Sequence, residues 1–241
     1  MPMPGRPMRR KPKMKWVASP LMVVIGLFLA AGVLVYRFAP NDPDPVDAQT
    51  MCAGAPSSVT AVLLDVTDPL SESQQGRVRK ELESVLNAVP PKGRVEVFLL
   101  AKGQVGASKF TICNPGDGSE RPAFFVTQSV AKALWRENFR DKVLAAAAEA
   151  QRAEGSDTSG VLEAISSVCS QAFSGEGENP PKGKRLLVIS DMLQHTRGLN
   201  QYSRRHAVSF QTFRTWPYYE AVRPTNIGGV DVSVLYIRRP Q

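Results

Sequence analysis

Between Trp16 and Tyr36 the chain has no charged side chain, and the fifteen residues before Trp16 have no acid. At about 1.5 Å of helical rise per residue, such a run spans roughly 30 Å, the thickness of one hydrocarbon core. Histidine is scarce: His195 and His206 are the two in 241 residues, and neither flanks a pair of cysteines. The three cysteines, Cys52, Cys113 and Cys169, match no zinc-site spacing, which removes the small zinc modules. No Gly-rich phosphate loop follows the first apolar strand. A Gly-x-Ser-x-Gly elbow with a histidine partner is also missing, so neither nucleotide-loop nor serine-hydrolase chemistry has a carrier.

Charge is present mainly at one end. The formal net charge is +8, and Arg6, Arg9, Arg10, Lys11, Lys13 and Lys15 supply +6 of it, leaving +2 for residues 16–241. A basic tail beside an apolar run suits anionic lipid rather than nucleic acid. Trp16 and Tyr36 stand at the two ends of the run, where interfacial aromatics belong. Six cations precede it and only Arg37 follows closely, so the positive-inside rule places the N-terminus in the cytoplasm. A cleaved signal peptide is the competing reading, but the run is long for one and shows no clear cleavage site. The expected organisation is therefore a basic cytoplasmic tail (1–15), a transmembrane helix (16–37), a Pro/Asp-rich linker (38–58) and an α/β domain (59–241). The expected location is the inner (plasma) membrane, single-pass, with the main domain periplasmic. An exported domain meets an oxidising compartment, so one disulfide is expected, Cys113 with Cys52 or with Cys169; three free thiols are the alternative.

Apolar runs and turn residues outline the domain. Strands are predicted at 59–66, 94–101, 108–113, 185–190 and 230–237, and helices at 71–87, 125–153, 160–173 and 199–216. Ser71 with Gln74 has the capping-box spacing, and Ser156–Gly160 is expected to cap the helix that follows. The order predicts a doubly wound, mainly parallel sheet with one antiparallel edge strand. Trp135 and Phe139, four residues apart, are expected in the core. Residues 210–219, dense in aromatics, suit either packing or a partner-binding rim.

Two apolar strands end in acids and hydroxyls: Asp65-Val-Thr67-Asp68, and Ser190-Asp191. Strand ends of an open parallel sheet are where such folds bind ligands, and oxygen-only ligands suit a hard cation. On these residues the span 59–238 resembles the von Willebrand factor A-like (vWA) family. That resemblance implies a metal-ion-dependent adhesion site, in which Asp65, Thr67, Ser159 and Asp191 hold Mg²⁺ and a protein partner's carboxylate completes the shell. Asp68, Ser71 and Thr158 would then border the partner. The chain departs from the pattern at Pro69, where the family has a hydroxyl. The simpler alternative for each acidic turn is helix capping. A phosphatase of the haloacid-dehalogenase type needs an Asp where Thr67 stands, and no base accompanies Asp65 and Asp68 for metal-assisted hydrolysis. The sequence therefore points away from an enzyme. It points to a membrane-associated protein-binding module, with a metal-free scaffold subunit as the alternative.

Overall fold

The computed structural model describes residues 20–38, 46–118, 128–152, 156–174, 180–202 and 208–238. It divides into two units, Met1–Pro43 and Asp44–Gln241. In the first, α1 runs over Pro20–Phe38, and its side chains from Met22 to Val33 are exposed. Among the described residues no helix is long and apolar enough to cross a membrane. The expected span 16–37 also takes in Trp16–Ser19, which lie outside the described residues, as does the basic tail.

The second unit is built on β1 (Ser58–Asp65), whose residues Ser58–Leu64 are all buried. A strand with no polar face needs cover on both sides, and this one has it. β2 (Arg94–Ala101) and β5 (Gly183–Ser190) flank β1 in parallel, and β6 (Val230–Tyr236) continues in parallel beyond β5. β3 (Gln104–Val105) and β4 (Phe110–Cys113) both pair antiparallel with β2, as one interrupted edge strand. The order is β3-β2-β1-β5-β6, mainly parallel with an antiparallel edge, as expected. The loop predicted at 102–107 contains β3. Lys102 and Gly103 both have positive φ (51° and 73°), which makes a two-residue hairpin turn of the type that follows strand twist.

Helices cover both faces. On one side, α2 (Glu72–Asn87) buries Val78, Leu82, Val85 and Leu86 against Val62 and Leu64 of β1. Ser71 caps α2 in a capping box with Gln74, as the spacing predicts. α3 (Gln128–Trp135), a π-helical turn (Arg136–Arg140) and α4 (Asp141–Ala150) add Trp135, Phe139 and Val143 to the same core. Those three are spaced by four residues, and α-geometry would rotate each about 40° past the last; the wider turn keeps them in line. Trp135 Nε1 donates to Asn114 Oδ1 at 2.9 Å. On the other side, α5 (Val161–Phe173) packs on Ala61, Leu63, Phe98, Leu186 and Val188.

Three expectations are corrected. Ser156–Ser159 do not cap α5: its N-cap is Gly160, with no side-chain bond of its own. Instead Leu162 N–H donates to the Oε1 of buried Gln194 at 3.0 Å, from the loop after β5. The segment 199–216 is not one helix. It holds α6 (Phe210–Phe213), and α7 (Pro217–Val222) follows. Pro217 forces Trp216 into extended backbone (ψ 142°), which ends anything helical before it. Residues 46–57 are not a free spacer. Thr50 O accepts from Cys113 N–H at 2.7 Å, Ser57 N–H donates to Lys92 O, and a disulfide joins Cys52 to Cys113. Cys169 is a free, buried thiol whose pKa burial pushes up.

Candidate functional site

β1 and β5 are adjacent and parallel, so their C-terminal ends bring Asp65 and Ser190 together. Ser190 Oγ donates to Asp65 Oδ2 at 2.7 Å. After Asp65 the chain turns sharply, because the Asp65 carboxylate takes both Thr67 groups: Thr67 Oγ1 donates to Oδ1 at 2.6 Å and Thr67 N–H at 3.1 Å. Both oxygens of Asp65 thus accept hydroxyl hydrogen bonds. The carboxyl is pushed above its usual range by burial; the bonds from Thr67 and Ser190 oppose that shift, and the negative charge of Asp191 adds to it.

The β5 end turns in a similar way. Met192 N–H donates to Ser190 Oγ at 2.8 Å, and Leu193 N–H to Asp191 Oδ1 at 3.0 Å. Met192 sits at φ 59°, left-handed backbone in a residue with a long side chain. Such strain persists where surrounding bonds impose it, and it gathers at functional sites. The two turns enclose a cleft of about 320 Å³. Asp65, Thr67, Asp68, Gln74, Ser190, Asp191 and Arg238 supply its polar lining; Pro69 and Ile237 are among its apolar residues.

The sequence-predicted residues divide at this point. Asp65, Thr67, Asp68 and Asp191 share the cleft. Ser71 is not among its lining residues; it caps α2 and bonds Ser73. Thr158 and Ser159 are also outside the lining. The 156–160 loop touches the turn through Ser156 N–H, which donates to Thr67 O at 2.9 Å. Ser159 pairs instead with His195, N–H to O in both directions. Its Oγ is buried and has no hydrogen-bond partner.

Sequence reading placed Ser190 at the strand end without giving it a role in the site, and missed a second polar cluster. Gln194 Nε2 donates to Glu163 Oε2 at 2.6 Å and lies within hydrogen-bond reach of the hydroxyls of Thr196 and Tyr218, at 3.2 and 2.9 Å. The Tyr218 hydroxyl also donates to Glu163 Oε1. Burial, and then that bond, push the Tyr218 phenol up to about 12. Nothing in the spacing of Glu163, Gln194 and Tyr218 announces this cluster; only the folding of α7 onto α5 creates it.

The oxygen-only donor set is right for a hard cation, but the geometry fits one poorly. Both Asp65 oxygens are engaged, position 69 offers no hydroxyl, and Ser159 lies outside the lining. Among the described residues no group of three or more acids, histidines and cysteines could hold a metal ion.

Fold and site together define an α/β domain with a mainly parallel sheet and an acidic cleft at its strand ends. No family model matches the chain, and no curated protein matches it in sequence. Among solved structures it is similar to an aerotolerance-related membrane protein from Bacteroides fragilis NCTC 9343 with multiple mutations to serines. Identity there is 13%, over 73% of this chain and 66% of that one, with a TM-score of 0.33. It is also similar to the conserved hypothetical protein BatB from Bacteroides thetaiotaomicron, at 16% identity, 73% and 65% coverage and a TM-score of 0.32. The chain thus spans slightly under two thirds of the length of each.

Proposed function

We propose that this chain is a membrane-anchored, vWA-like protein-interaction module that docks a partner at the cleft between the β1 and β5 ends. The anchor is the charge-free run 16–36 behind its basic tail, with the domain on the far side of the membrane from that tail. The cleft carries the docking reading. It is a preorganised acidic turn, fixed by buried hydroxyl bonds, at the sheet edge where open α/β folds bind ligands. In this reading the domain acts by binding a partner rather than by chemistry on it.

The geometry favours a metal-free cleft. Acidic side chains line the cleft, and the partner group that complements an acidic surface is a lysine or arginine. One observation favours a cation-assisted form, the buried Ser159 hydroxyl with no partner. In that form Asp65, Thr67, Ser159 and Asp191 would hold Mg²⁺, and the partner group would be a carboxylate. The two forms predict partners of opposite charge. Thermal melting of the full chain in detergent, with and without Mg²⁺ or Mn²⁺, separates them, because a ligand that binds only the folded state raises the midpoint. The expected result is no metal-dependent rise, together with binding of a fluorescent Lys-rich peptide that Asp191→Asn weakens. A rise lost in Asp65→Ala, with binding of a Glu-rich peptide only when Mg²⁺ is present, would establish the cation form. Binding of neither peptide would remove the docking reading.

A further inference from the structure

The open edge of the sheet is β6, and beyond Asp231 its exposed side chains are apolar. Val232, Val234 and Tyr236 are 42%, 47% and 51% exposed, although their register partners on β5 are the buried Leu186, Val188 and Ser190. α5 packs over Leu186 and Val188 on that face and leaves the β6 stripe uncovered. The backbone of the same residues is open too. Ile237 N–H donates inward to Ser190 O. Since backbone direction alternates along a strand, Ser233 and Leu235 also turn inward, while Val232, Val234 and Tyr236 turn their N–H and C=O groups outward. Among the described residues no strand pairs with that side. Usual guards of an edge are lysines, prolines or bulges, and β6 has only Asp231.

We propose that β6 is a homotypic docking edge, on which a second copy of this chain pairs antiparallel with Val234 on the two-fold axis. The stripe is symmetric about Val234, as an isologous contact requires. Val234 faces Val234 of the second copy, and the two residues exchange both backbone hydrogen bonds. Val232 faces Tyr236 of the second copy, an aromatic–β-branched pair of the kind that stabilises sheets. Asp231 falls opposite Ile237, so no like charges meet. The two sheets then form one continuous sheet, with the six exposed side chains contiguous on one face.

Register-specific cross-linking tests this on the full chain in detergent. In a hydrogen-bonded antiparallel pair, opposed Cα atoms lie about 5.5 Å apart, within disulfide reach. Val234→Cys is therefore expected to give a covalent dimer under mild oxidation. Val232→Cys places its own two thiols four residues apart along the strands, about 13 Å, and is expected to stay uncross-linked. Val234→Lys is expected to convert a sedimenting dimer into a monomer with its circular dichroism unchanged. Equal cross-linking at both positions, or none at either, would overturn the proposal. So would a monomeric unsubstituted chain at tens of micromolar. Association through α1 alone leaves both cysteines unlinked and overturns it as well.

Discussion

Asp65 is the residue on which the cleft is built, and its ionisation is costly. Its pKa is raised above 3.8 in the folded chain, mainly by burial. Folded protein therefore holds a proton at pH values where unfolded protein has released it. The cost is fully present above the folded pKa and is relieved as the pH falls through that value towards 3.8. Asp65→Asn carries no such titration. The melting midpoint of the variant minus that of the native chain is thus expected to shrink as pH falls from 7 towards 4, measured by circular dichroism melts. A difference that stays flat or widens on acidification would show that Asp65 is not the buried acid described. The positions of Asp65 and Asp191 were legible because each ends an apolar run, and strand ends are marked by such changes. Gln194 was not legible. A glutamine in a loop has no periodic signal, and its partner Leu162 lies 32 residues earlier in the chain.

At the scale of elements, the strands and α2 read correctly because burial and capping leave direct traces in the sequence. The two-residue β3 left none, being too short for alternation to show. Its turn has a further constraint. A Cβ on Gly103 would stand 2.5 Å from Thr158 Oγ1, and the residue already has φ 73°. The glycine therefore serves the turn and the approach of the 156–160 loop together. Gly103→Ala is expected to destabilise by roughly 1–2 kcal/mol from left-handed backbone alone, plus the clash. Adding Thr158→Ala should recover the clash and leave the backbone part, read by urea denaturation. Full recovery, or no loss in the single variant, would contradict the geometry. The segment 199–216 misled for the opposite reason: polar and aromatic residues at helical spacing are compatible with a helix, but Pro217 and the bonds of Gln194 and Thr196 divide it.

For the whole molecule, the boundary drawn from composition at residue 58 was too late. Proline and aspartate suggested a spacer, yet Asp47 folds the chain back by accepting from Gln49 and Thr50, and Cys52 fastens it to β4. Side-chain-to-backbone turns of this kind depend on a single residue, and composition averages them away. The disulfide closes a separation of 61 residues that includes β1, α2 and β2. For a loop of that length the chain-entropy estimate is about 4 kcal/mol, and measured losses commonly run from about 2 to 5. Cys52→Ser with Cys113→Ser is expected to lower unfolding free energy within that range, while Cys169→Ser should leave the oxidised chain's cross-link intact. A double variant as stable as the native chain would sink this account.

The same bond has a mechanical consequence. Any pull arriving along the backbone from residue 46 meets Cys52 six residues before β1 begins. There the load passes covalently to Cys113, at the end of β4, and is shared with the β4–β2 ladder instead of peeling β1 away from its neighbours. A tether fastened in this way transmits force to the sheet's edge and spares the central strand that carries Asp65, so the cleft can keep its shape under traction.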